Sequence, residues 1–227
     1  NDAAGFQENF DSFTEETGII VSFQGSDNFE QEIQIQMESG DTPDIALFPQ
    51  PGGVVDAAQR GYLISLEDLG VDMDEYRASF SSYIVGLGEV DGAHYGGAHA
   101  FNLKSIVWYQ PAEFEARGYS VPATWDEMIA LSDKVVADGM NPWCLGIYSN
   151  GATGWVVTDW IEDILLRSAG VDIYDKWLTN DIPFNSTMIK DAVDKYVQIA
   201  HTPGYVHGGI DALTGTYFGN AMNPMFE

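Results

Sequence analysis

Pro122-Ala123-Thr124-Trp125-Asp126-Glu127 is the stretch whose reading decides the fold. Thr124 precedes a run of helix-forming residues and Glu127 follows it at the third helical position. This is a capping box: the hydroxyl satisfies a free amide at the helix start while the carboxylate reaches back. The helix it opens, to about Asp138, places Met128, Leu131 and Val135 on one face. Upstream, Pro111 to Arg117 reads as a short helix stopped by Gly118, and Ile106 to Tyr109 as a strand. Downstream, Asp159 to Ala169 reads as a helix with Gly170 just past its end, and Met188 to Ala200 as another, with Ile189, Val193 and Val197 as its stripe.

The first half shows the same alternation. Phe6, Phe10 and Phe13 have helical spacing and Gly18 stops the segment, whereas Ile19 to Phe23 is short and β-branched. Phe29 to Met37 is amphipathic, Ile45 to Phe48 is a second apolar strand, and Gly52-Gly53 opens a helix ending near Gly61. The glycine-rich segment from Gly86 to Asn102 lacks helical period and reads as loops and short strands. Helices alternating with short apolar strands predict an α/β fold built on a largely parallel sheet.

Composition narrows the partners. Of 227 residues, 45% are hydrophobic, which rules against a disordered chain, and no run approaches a membrane span. The 35 acidic residues against 9 basic ones leave a net charge of −26. Such a chain repels nucleic acid and anionic lipid, and suits an extracellular or salty setting. A neutral ligand is indifferent to that field, whereas an anionic one needs a local basic site. Cys144 is the only cysteine, so no disulfide closes within the chain. Asn1 leads directly into a helix-like segment, so any signal peptide is expected to have been removed or to lie upstream.

The common dinucleotide, phosphate-loop and nucleophile-elbow motifs do not occur, and His94, His99, His201 and His207 have no metal-ligand spacing. No cofactor and no metal are expected. What stands out is aromatic residues beside glycine and small polar residues, above all Tyr148-Ser149-Asn150-Gly151-Ala152-Thr153-Gly154-Trp155, with Trp160 shortly after. Sugars offer flat C–H faces for aromatic rings and a rim of hydroxyls for Asn, Gln, Asp and Lys. The competing reading of each tryptophan is core packing.

Several stretches together resemble one family, the extracellular sugar-binding proteins of bacterial ABC importers, maltose-binding-protein-like. They are Phe13 to Ile19, Gly40-Asp41-Thr42-Pro43-Asp44-Ile45, Gly61-Tyr62-Leu63-Ile64-Ser65-Leu66, and Trp108-Tyr109-Gln110-Pro111 followed by Phe114 and the 122–127 segment. Phe48-Pro49-Gln50-Pro51-Gly52, Lys104 to Tyr109, Asn141-Pro142-Trp143-Cys144, Thr158 to Asp163 and Asn223-Pro224-Met225-Phe226 resemble its α-glucoside-type branch. Gln110 stands where the family usually caps with Asn, and Gly97 to Asn102 departs from the usual stretch beside the hinge.

The resemblance implies a periplasmic-binding-protein-like fold of two lobes with a hinge (type II), incomplete in this chain. Residues 1–102 would form the first lobe without its opening strand and return segment, 103–106 a hinge crossing, and 107–227 part of the second lobe. It also implies hinge closure on a sugar, delivery to ABC-transporter permease subunits, and an extracytoplasmic monomer, periplasmic or lipid-anchored. The ligand residues it points to are Gln50 and Pro51 in the first lobe, Lys104 at the crossing, either as a ligand contact or as a hinge salt-bridge partner, and Tyr148, Ser149, Asn150, Trp155, Asp159 and Trp160 in the second. Trp155 and Trp160 are the expected stacking rings, and Gln50, Asn150 and Asp159 the expected hydroxyl partners. A glycosidase and a sugar-sensing receptor subunit remain as rival readings.

Overall fold

The structure is a computed structural model and describes residues 3–226. The expectations attached to Asn1 and Glu227 lie outside the described residues. The chain divides into two compact units, Asn1–Asn102 and Leu103–Glu227.

In the first unit the expected opening helix is two, α1 (Ala3–Glu8) and α2 (Asp11–Thr17). Gly18 ends α2 in the left-handed region, φ 74°, with its N–H donating to the Thr14 carbonyl, which is the stop the sequence announces. α3 (Phe29–Ser39) buries Ile33 and Met37 against Ala57 of α4 (Pro51–Gln59), with Phe29, Ala46, Phe48 and Leu63 around them. α5 (Met73–Ser79) and α6 (Ser82–Gly86) were not legible as helices. Each starts on a side-chain cap, Asp72 accepting from the Asp74 and Glu75 amides and Ser81 from the Ile84 amide.

A two-stranded antiparallel ladder follows, β1 (Glu89–Val90) with β2 (Ala93–His94). Gly88 must be glycine, because a Cβ there would lie 2.5 Å from the Gly96 carbonyl oxygen. This hairpin is tied down through buried His94. Its Nδ1 lies 2.8 Å from Glu67 Oε1, its backbone N–H donates to Glu67 Oε2 at 3.0 Å, and its carbonyl accepts from the Leu66 N–H at 2.7 Å. The imidazole bond first, and the backbone bond second, hold the Glu67 carboxyl down at about 2, against an ordinary 4.5. A carboxyl lowered in the fold stabilises above its unfolded value and loses that contribution as pH falls through the folded one. Glu67→Gln is therefore expected to lower the melting temperature at pH 6, with the deficit shrinking from about pH 4.5 down to about pH 2 in melts across that range.

The second unit begins with an irregular segment and α7 (Pro111–Arg117), closed by Gly118 at φ 65°. Gln110 makes no cap bond; its amide donates instead to the Met225 carbonyl. α8 (Trp125–Ala137) starts as the capping box requires, with Thr124 Oγ1 accepting from the Glu127 N–H at 3.2 Å. Glu127 Oε2 reaches the Ala123 N–H, one residue before the cap, at 2.7 Å. Thr124→Ala should cost about 0.5–2 kcal/mol of stability, read from denaturant midpoints.

The remaining helices are α9 (Trp155–Ala169), α10 (Val171–Leu178), α11 (Thr187–His201) and α12 (Gly209–Gly215). α9 and α11 build the core, with Ile161, Ile164 and Leu165 against Ile189, Ala192, Tyr196 and Ala200, closed by Val206 and Leu213. Buried Trp143 joins it beside Ile199 and Tyr205, its indole N–H donating to Ser132 Oγ at 3.0 Å.

The largely parallel sheet is the expectation that needs correcting. Among the described residues the ladders are the β1–β2 pair and two isolated parallel bridges, Trp143 with Val206 and Tyr148 with Tyr217. Ile19 to Phe23, Ile45 to Phe48 and Ile106 to Tyr109 run without helix or ladder, and Ile20, Ile45 and Trp108 are 84%, 82% and 68% exposed. Extended preference is local, but a strand also needs a partner segment beside it. No helix among the described residues is long and apolar enough to cross a membrane.

Candidate functional site

The site is built in the second unit, where 143–148 pairs with the chain after α11. The Tyr148 N–H donates to the Thr216 carbonyl at 3.1 Å and the Phe218 N–H to the Tyr148 carbonyl at 3.0 Å. That exchange sets Tyr148 beside Tyr217, ahead of the tight turn 150–152. Thr153 locks the turn: its hydroxyl accepts from the Ser149 N–H at 3.0 Å and donates to the Asn150 carbonyl at 2.7 Å. Asn150 sits at φ 47°, a conformation asparagine tolerates better than most residues, and its side-chain carbonyl accepts from the Tyr148 hydroxyl at 2.8 Å.

Gly154, at φ 113°, turns the chain so that α9 begins at Trp155, four residues before the expected start. Trp155 and Asp159 are one turn apart on α9 and so share a face. Lys104 closes on both. Its Nζ is 2.8 Å from Asp159 Oδ2 and 4.2 Å from the centre of the Trp155 ring. Phe218 packs edge-to-face on Trp155 with ring centres 4.9 Å apart, and Tyr217 lies 4.6 Å from Phe218. Tyr148, Tyr217 and Phe218 are all exposed, a concentration of aromatic surface that a stable core would hide. A half-exposed ammonium over a ring contributes about 0.5–1 kcal/mol, and an exposed ion pair about 0.2–1, so Lys104 is oriented without being locked.

Six of the residues singled out in the sequence, Lys104, Tyr148, Ser149, Asn150, Trp155 and Asp159, thus belong to one neighbourhood. Trp160 does not join it. Its ring lies 5.5 Å from Trp143 and 6.1 Å from Tyr196, half-buried and packed against the core. Gln50 and Pro51 lie in the first unit, exposed at the start of α4, where Gln50 makes no cap bond. Tyr217 and Phe218 were missed, although Gly215-Thr216-Tyr217-Phe218-Gly219 carries the same mixture of aromatics and glycine as 148–155. No group of three or more His, Cys, Asp or Glu among the described residues is placed to hold a metal ion.

Residues 1–221 match the model of the bacterial extracellular solute-binding protein family. The chain belongs to this family. It is 42% identical to the osmoprotective compounds-binding protein of Synechocystis sp., over 94% of this chain and 51% of that protein. It is 37% identical to the alpha-glucosides-binding periplasmic protein of Rhizobium meliloti, over 100% of this chain and 50% of that one. The chain therefore spans about half the length of the curated relatives it matches. A solved chitin oligosaccharide binding protein superposes with a TM-score of 0.74 at 19% identity, over 98% of this chain and 55% of its own. That likeness establishes the fold as the type II, periplasmic-binding-protein-like α/β architecture. Members of the family are extracellular binding proteins.

Proposed function

We propose that the protein is the substrate-binding component of an ABC importer, which captures a sugar outside the cytoplasm and delivers it unchanged to a membrane permease. The observation that carries this reading is the cluster of Trp155, Lys104 and Asp159 with Tyr148, Asn150, Tyr217 and Phe218. It combines ring surface for a sugar face with donors and acceptors for its hydroxyls. Family membership supports it, and the relative named for α-glucosides favours an α-glucoside or another oligosaccharide as ligand.

Trp155 is assigned as the stacking ring, Asn150 and Asp159 as hydroxyl partners, and Ser149 as a further polar contact. From the first unit, Gln50 and Pro51 are assigned as sugar contacts too. Residues 1–102 are assigned to the first lobe, 103–106 to the hinge crossing and 107–227 to the second lobe of a protein that acts as a monomer. Deleting the gene should abolish uptake of a radiolabelled α-glucoside by the source cells, and supplying it again should restore uptake. Undiminished uptake in the deletion strain would overturn the transport role.

A further inference from the structure

A net charge of −26 means that any anionic ligand needs a cation at its site. Among the contacts of the described residues, the cation this cluster contains is Lys104, and it is already matched by Asp159 at 2.8 Å. The ammonium is also held over the Trp155 ring at 4.2 Å, so it lies against the ring assigned to stacking. The paired charges cancel, yet both groups keep hydrogen-bonding capacity. An ammonium has three donors, of which Asp159 takes one, and a carboxylate accepts at both oxygens. Half of the Lys104 side chain and 29% of that of Asp159 remain exposed to a ligand. The result is a donor and an acceptor side by side, the complement of adjacent hydroxyls on a sugar ring, which both accept and donate.

Resting on the sugar-binding reading above, we infer that the Lys104–Asp159 pair on Trp155 restricts the site to uncharged polyhydroxylated rings and excludes sugar acids and sugar phosphates. An anion on the remaining donors of Lys104 would lie beside the Asp159 carboxylate, two like charges sharing one cation. Such juxtaposition is how binding sites reject wrong partners. A neutral hydroxyl bridges the pair without breaking it.

The test is calorimetric titration of the full-length protein with maltose and trehalose and with the uronic acids made by oxidising the terminal C6 of each. Wild type should favour the neutral sugars by about tenfold or more. Asp159→Asn leaves the ammonium unmatched and should move the preference toward the uronic acids by about tenfold, while Lys104→Gln leaves the carboxylate alone and should move it the other way. Thermal melts establish that each variant is folded, and the opposed directions keep the two variants from failing for one trivial reason. Equal binding of neutral and acidic sugars by wild type, or an unchanged preference in a folded Asp159→Asn variant, would overturn the inference and leave the sugar-binding reading standing. No binding of any of the four to folded wild type would remove the α-glucoside reading and the inference with it.

Discussion

Trp155→Ala is expected to weaken sugar binding by about thirtyfold or more, the equivalent of at least about 2 kcal/mol. The indole sits in the first turn of α9 with Phe218 packed on it edge-to-face and the Lys104 ammonium over its ring. Truncation removes the stacking surface and at the same time the ring that orients Lys104 toward Asp159. Interface residues whose loss costs this much are typically tryptophans and tyrosines seated among other rings, as Trp155 is. Trp155→Phe keeps a ring and should retain part of the affinity. The measurement is calorimetry on both variants, with melting curves to show that the fold is intact. An unchanged dissociation constant for Trp155→Ala would take this ring out of the site.

The second large effect is on stability. Leu165→Ala should lower the unfolding free energy by about 2–5 kcal/mol, because Leu165 is fully buried where α9 meets α11 and its loss leaves a cavity among Ile161, Ile189 and Ala192. Its neighbour Leu166 is 40% exposed, and Leu166→Ala should stay within about 0.5 kcal/mol of wild type. Adjacent leucines with such different expected costs test the assignment of the helix face rather than hydrophobicity in general. Denaturant titration of the two variants reads it, and equal losses would mean that α9 is turned otherwise.

Much of the local structure was legible because its causes are local. Thr124 and Glu127 placed the start of α8, and Gly18 and Gly118 ended their helices at positive φ as a glycine can. The strands were legible only as extended segments, since Ile19 to Phe23 and Ile45 to Phe48 say nothing of what lies beside them. Trp155 and Trp160 looked equivalent in sequence, but helical geometry separates them. Five residues along a helix turn a side chain about 140° away, which sets Trp160 one turn before Ile164, packed on Trp143 and Tyr196, and leaves Trp155 with Asp159. Tyr217 and Phe218 escaped notice for a different reason. Their place beside Tyr148 and Trp155 comes from a bridge between segments remote in sequence, and no local pattern announces it.

The most direct test of the central claim is calorimetric titration of the full-length protein with maltose, trehalose, sucrose and longer α-glucosides, with the ligand recovered and analysed afterwards. Micromolar or tighter binding of at least one of them, returned chemically unchanged, is the expected result. A folded protein that binds none of these, or that returns its ligand hydrolysed, would contradict it.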